Sequence, residues 1–148
     1  MIKNVLVICA GNICRSPTGE HLLRQNLADS GIRVSSAGLT AVVGHPLERT
    51  ALDTLQRHGQ QPNEHQARQL TPQILQASDL VLVMERRHLQ DVFRLSPVSR
   101  GKTFLLGKWQ SDRDIPDPYR RGTAAFEHAY ALIEEGATAW SQRLQPQR

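Results

Sequence analysis

The sequence has little that could staple a fold or cross a membrane. Two cysteines among 148 residues cannot build a disulfide framework. The longest apolar runs, Val5 to Ala10 and Leu80 to Met84, have six and five residues, far short of the ~20 that span a bilayer, so no stable membrane insertion is expected. Met1-Ile2-Lys3-Asn4 leads straight into the first run, without a long apolar stretch and a small-residue cleavage site, and a cytoplasmic location is the expectation. Aromatic residues are 5% of the chain, too few to offer stacking platforms for nucleic acid. Lysine is scarce too. Fifteen of the eighteen basic residues are arginine, scattered singly or in pairs such as Arg86-Arg87 and Arg120-Arg121, so the formal charge of +4 describes a solvated surface that favours anionic substrates. The six histidines and two cysteines lack metal-ligand spacing, and neither a metal nor another cofactor is implied. The sequence leaves the oligomeric state open.

What is present fits one domain over residues 1–148. Apolar runs without alternation recur at Val5-Leu6-Val7-Ile8 and Leu80-Val81-Leu82-Val83, with shorter candidates at Ile32-Arg33-Val34 and Thr103-Phe104-Leu105-Leu106. Such runs suit strands buried on both faces of a parallel sheet. Helical patterns lie between them. Ser16 is placed to cap the first, with Pro17 at its first position and Leu22, Leu23 and Leu27 on its buried side up to Gly31. A second carries Ala51, Leu52 and Leu55 and stops at Gly59. Thr71-Pro72 opens a third, and Leu89, Val92 and Phe93 mark a fourth. Phe126, Tyr130, Ile133, Ala137, Trp140 and Leu144 form one apolar stripe along the last. The alternation predicts a small, doubly wound α/β domain, a four-stranded parallel sheet with helices on both faces. Ligands of such sheets sit at the carboxyl ends of the strands.

Just past the end of the first strand comes Cys9-Ala10-Gly11-Asn12-Ile13-Cys14-Arg15-Ser16-Pro17, running into the first helix. A loop between a strand and a helix N-terminus leaves backbone N–H groups unpaired, and the helix dipole adds positive charge there. Cys9 and Arg15 stand six positions apart, so curling the intervening residues around a tetrahedral anion brings thiol and guanidinium to the same phosphate. Gly11 is expected to permit the backbone turn, and positive surroundings of this kind favour thiolate over thiol. The chance that either cysteine finds Arg six residues on and Ser or Thr seven on is only about 2%. An alkoxide or phenolate leaving a phosphate ester needs a proton, and a carboxylic acid held over the site can supply it. Asp112, Asp114 and Asp117 all lie in the long exposed loop from Asp112 to Arg121, and Pro116 and Pro118 stiffen it around Asp117.

The run Cys9 to Pro17 closely resembles the phosphate-binding loop of the low-molecular-weight protein tyrosine phosphatases. Ser35-Ser36-Ala37-Gly38 after the second strand, His65-Gln66-Ala67-Arg68-Gln69, Leu82-Val83-Met84-Glu85 and Ile115-Pro116-Asp117-Pro118-Tyr119 resemble that family's landmarks in the family's order. The resemblance implies Cys9 as nucleophile, Arg15 as phosphate clamp and Asp117 as general acid. It also implies substrate binding by Ala10, Gly11, Asn12, Ile13 and Cys14, a hydrogen bond from Ser16 to the thiolate, and an aromatic wall at Tyr119. Asn12, Ser36 and His65 correspond to positions that hold the loop in shape.

Other activities of similar architecture fit less well. Arsenate reductases relay oxidation to later cysteines, and none follows Cys14. Protein arginine phosphatases carry Thr where this chain has Ile13, whose bulk suits an aromatic ester. Flavodoxin-like carriers bind phosphate but need neither a thiolate nor an acid loop. A non-catalytic phosphotyrosine-binding adaptor would keep Arg15 and could dispense with Cys9 and Asp117. Leu39-Thr40-Ala41-Val42-Val43 puts aliphatic residues where eukaryotic phosphatases of the family place an aromatic wall. Together with Met84-Glu85-Arg86-Arg87-His88, Arg100-Gly101-Lys102 and Gly107-Lys108-Trp109, this resembles bacterial members associated with capsule and exopolysaccharide export. That likeness implies a tyrosine-phosphorylated protein as substrate, a bacterial tyrosine autokinase with a tyrosine-rich tail.

Overall fold

The computed structural model describes residues 1–145, and the last three residues of the expected 1–148 domain lie outside them. Val5-Leu6-Val7-Ile8 forms the centre of β1 (Asn4–Cys9). On one side β1 pairs with β2 (Arg33–Gly38), on the other with β3 (Leu80–Val83), and β4 (Thr103–Leu105) lies beyond β3. Every pairing is parallel. Successive side chains of a strand point to opposite faces, and here both faces are covered: Val5, Val7 and Cys9 enter one core, Leu6 and Ile8 the other.

The first core is closed by α1 (Arg15–Asn26), α2 (Arg49–Arg57) and α5 (Thr123–Leu144), through Leu22, Leu23, Leu55, Tyr130, Ile133 and Trp140. The second is closed by α3 (Pro72–Gln76) and α4 (Arg86–Leu95), through Leu75 and Val92 with Leu89 and Phe93 against them. Each fully buried Leu or Val contributes about 1.5–3 kcal/mol. Two such layers therefore fix β1 rigidly, and with it Cys9 at its carboxyl end. The strand order β2-β1-β3-β4 reverses direction between β1 and β3, which opens a crevice where the chain leaves those two strands.

Most helix boundaries follow the sequence signals. Thr71 caps α3 by accepting the Ile74 N–H at 3.2 Å, Glu48 caps α2 by accepting that of Ala51 at 3.0 Å, and Gly31 and Gly59 take the left-handed conformation after α1 and α2. Three expectations are corrected. Ser16 is not the cap of α1: the cap position is Cys14, with no side-chain capping bond, and Ser16 lies buried inside the first turn. The helix N-terminus thus keeps its donors free. Ser35 to Gly38 belong to β2 itself, paired with Leu6 to Cys9, because ladder pairing overrides the low strand propensity of small residues. The loop from Asp112 to Arg121 is not exposed throughout: Ile115 and Pro118 are buried, and the Ile115 N–H donates to the Met84 carbonyl at 2.9 Å.

Candidate active site

The carbonyl groups of the Cys9–Cys14 segment are held from outside. Leu39, Thr40 and Val42 donate their N–H groups to the carbonyls of Cys9, Ala10 and Gly11, each at 3.0 Å, and Glu48 donates to Ile13 at 2.8 Å. His65 Nε2 donates to the Asn12 carbonyl at 2.6 Å, and Thr18 Oγ1 to that of Cys14 at 2.8 Å. With the carbonyls turned outward, the N–H groups face the hollow of the curl, and those of Gly11 to Cys14 have no partner among the described residues. Such a nest, continued by the uncapped N-terminus of α1, is an arrangement that can bind an anion through backbone donors. The curl rests on Gly38, where a Cβ would stand 2.5 Å from the Ala10 carbonyl oxygen.

The residue that makes the curl possible is Asn12, not Gly11 as expected. Asn12 has φ +59°, whereas Gly11 is absent from the positive-φ glycines. An asparagine tolerates this region when its side chain is fixed locally. Asn12 is fully buried. Its Nδ2 donates to Ser16 Oγ at 2.8 Å and to Ser36 Oγ at 3.0 Å, and its Oδ1 accepts the Arg68 N–H at 2.9 Å. Ser36 in turn donates to Glu20 Oε1. These donations leave the Ser16 hydroxyl proton for Cys9 Sγ, 2.9 Å away. A hydrogen-bond chain thus runs from the Glu20 carboxylate to the sulfur.

Arg15 is 2% exposed. Its Nη1 donates to Glu85 Oε2 at 2.7 Å and to the Ile115 carbonyl at 2.8 Å. With Nη1 committed twice, the Nε–Nη2 edge remains for two oxygens of a bound anion. Asp117 stands beside that edge, Oδ2 being 3.7 Å from Arg15 Nη2, and its Oδ1 accepts the Tyr119 N–H at 3.1 Å. Tyr119 is exposed, with the Arg120 guanidinium 5.1 Å from its ring centre. Ile13 packs beside Cys14, Ala51 and Phe126. The structure therefore gathers Cys9 to Ser16, Ser36, His65 and Asp117 around one loop, with Tyr119 at its outer margin.

Glu85, Glu20 and Arg68 also build the site, although the sequence pattern assigns none of them a role. Glu85 carried a signal, since it follows the apolar run of β3 at a carboxyl end, where this fold binds ligands. Glu20 carried none beyond lying one turn after Ser16. Arg68 contributes its backbone N–H to Asn12, which no residue type announces, and its Nε donates to the Ser36 carbonyl at 2.8 Å.

Burial, with Glu48 nearby, pushes the Cys14 thiol well above its ordinary range, so it stays protonated. Burial would raise the Glu85 carboxyl, but hydrogen bonds from Arg15 and Arg87 outweigh it and hold Glu85 below its ordinary value. Burial, reinforced by the Arg15 charge, lowers His88 from 6.5 to about 4. The unfolded chain takes up a proton at His88 near pH 6.5 and the folded protein only near pH 4. Stability therefore falls as pH drops through that window, by on the order of 3 kcal/mol from this group. In His88→Asn the loss of unfolding free energy between pH 7 and pH 4, measured with urea, is expected to be smaller by that amount. Equal losses in both proteins would assign the effect to other groups.

A family profile described as "Low molecular weight phosphotyrosine protein phosphatase" matches residues 4–148. The chain is 45% identical over 142 residues to the low molecular weight protein-tyrosine-phosphatase Etp of Escherichia coli strain K12, an alignment covering 96% of this chain and 95% of Etp. Its fold matches the tyrosine phosphatase Wzb of Escherichia coli K30 solved with sulphate, with a TM-score of 0.94 at 40% identity over 97% of this chain and 99% of that one. Wzb of Vibrio vulnificus, solved with benzylphosphonate, gives a TM-score of 0.92 at 41% identity over the same shares. Likeness in sequence and in fold runs over nearly the whole chain, and the family profile spans the curl from Cys9 to Arg15, so the protein belongs to the low molecular weight phosphotyrosine protein phosphatases.

Proposed function

We propose that this phosphatase hydrolyses phosphotyrosine in proteins through a cysteinyl phosphate, with Cys9 as nucleophile, Arg15 as phosphate clamp and Asp117 as general acid. The observation that carries the reading is the convergence of unpartnered N–H groups, the Cys9 sulfur, the free edge of Arg15 and the Asp117 carboxylate on one loop. In the first step Cys9 sulfur bonds to phosphorus as the bond to the phenolic oxygen breaks, and protonated Asp117 gives that oxygen its proton. In the second step water attacks phosphorus, Asp117 takes the water's proton, and the thiolate leaves with Ser16 donating to it. The N–H nest and Arg15 hold the equatorial oxygens through both steps. Benzylphosphonate, the ligand solved with Vibrio vulnificus Wzb, joins an aromatic ring to a phosphonate, and its chemistry supports an aryl phosphate here.

Similarity of 40–45% to Wzb and Etp across nearly the whole chain supports the finer reading, a bacterial tyrosine autokinase of capsule or exopolysaccharide production as the phosphorylated partner. Two free cysteines at the working loop suit the reducing cytoplasm. The test is turnover of a phosphotyrosine peptide against a phosphoarginine peptide, with chelator present, followed by lysates with and without a co-expressed tyrosine autokinase. Preference for phosphoarginine, or binding without phosphate release, would overturn the reading.

Arg15→Lys should lose about 10²–10³-fold in kcat/KM, the cost of removing an oriented transition-state donor. An ammonium cannot satisfy Glu85 and Ile115 while also offering two parallel bonds to phosphate. Near-parental kinetics would show that charge alone suffices.

A further inference from the structure

We infer that His88 is a positioning residue for phosphate binding: its Nε2–H supports the Glu85 carboxylate that fixes Arg15 with its outer edge free. The inference rests on the reading of Arg15 as the phosphate clamp. His88 lies in the first turn of α4 and is 2% exposed. The Glu85 N–H donates to His88 Nδ1 at 3.2 Å, so the neutral ring carries its proton on Nε2. That atom is enclosed and has no hydrogen-bond partner among the described residues. It faces Glu85 Oε2 at 3.5 Å, and the charged groups around the ring are Arg15, Glu85, Arg87 and Asp91.

A buried N–H without an acceptor costs free energy, and an apolar side chain would avoid that cost. Oε2 of Glu85 explains what the donor is for. The same oxygen accepts Arg15 Nη1 at 2.7 Å and Arg87 Nη2 at 3.2 Å. When a phosphate dianion engages the other edge of Arg15, it draws the guanidinium toward the loop and weakens its hold on Glu85. The waiting Nε2–H then closes on Oε2. Glu85 stays in its rotamer, and Arg15 is anchored from behind while it binds in front.

The experiment measures inhibition by inorganic phosphate and turnover of p-nitrophenyl phosphate in His88→Asn, His88→Gln, Glu85→Gln and the double variant His88→Asn/Glu85→Gln. Asparagine keeps an acceptor near Nδ1 and drops the donor, so the phosphate Ki and the KM should rise about 10-fold, the size of one hydrogen bond to a charged group, with a smaller change in kcat. Glutamine returns a donor near Nε2 and should recover most of that loss. His88→Asn should add nothing in the Glu85→Gln background. Parental Ki and KM in His88→Asn, multiplicative losses in the double variant, or a lowered Tm with unchanged kinetics would overturn the inference. An unchanged Ki in Arg15→Lys would instead remove the clamp reading on which it rests.

Discussion

Cys9→Ser is expected to abolish turnover, by on the order of 10⁴-fold or more, while inorganic phosphate still binds. A serine hydroxyl is a far weaker acid and a poorer nucleophile than a thiol, and no group touching position 9 can take its proton: Ser16 is itself a hydroxyl, and its oxygen already accepts from Asn12. The anion-binding parts are independent of the sulfur. The N–H groups of Gly11 to Cys14 and the outer edge of Arg15 stay as they are, so an isothermal titration with phosphate should give an affinity close to the parent's. Cys14→Ser is the internal control. The Cys14 thiol is held protonated by burial and packs against Ala51 and Phe126, so its replacement should cost stability through a buried hydroxyl and leave substantial activity. An inactive Cys14→Ser beside an active Cys9→Ser would reverse the assignment of the nucleophile.

The parts of the site that could be read from sequence are those whose chemistry demands a residue type at a fixed distance along the chain. Cys9 and Arg15 must flank one curl, and the apolar run before them and the helical pattern after them located that curl at a strand end. Parts made by tertiary contact were not legible in the same way. Asn12 takes the strained backbone position because Ser16, Ser36, Arg68 and His65 all bind it, and three of those four are remote in sequence. Ser16 reads locally as a helix cap, but the fold uses its hydroxyl on Cys9, a competition between local and tertiary hydrogen bonds that propensity cannot decide. The burial of Ile115 was hidden by the charges around it. It follows from Met84, just past the end of β3, whose carbonyl accepts the Ile115 N–H and pins the loop there.

Asp117→Asn should lose activity in proportion to how much the leaving group needs a proton. A general acid contributes about 10²–10⁴-fold, and tyrosine, with a phenol pKa of about 10, calls on most of it. The nitrophenolate of an activated nitrophenyl ester leaves as a stable anion without a proton, so this substrate should lose far less in its first step. Among the three aspartates of its loop, Asp117 is the one whose position supports the proposed role of acid. Its Oδ2 stands 3.7 Å from Arg15 Nη2, whereas Asp114 Oδ1 accepts the Arg86 N–H at 3.0 Å at the start of α4 and Asp112 contributes its backbone carbonyl to Arg86. Pro116 and the buried Pro118 stiffen the loop on either side of it. The same substitution removes the base that activates water, so with the nitrophenyl ester a cysteinyl phosphate should accumulate and a burst of phenol should precede a slower steady state. Asp112→Asn should be mild, and Asp114→Asn should cost only the stability of the α4 terminus, with Tm lowered and kcat retained. Equal losses on phosphotyrosine and on the nitrophenyl ester, with no burst, or a larger kinetic loss at Asp114 than at Asp117, would move the acid away from Asp117.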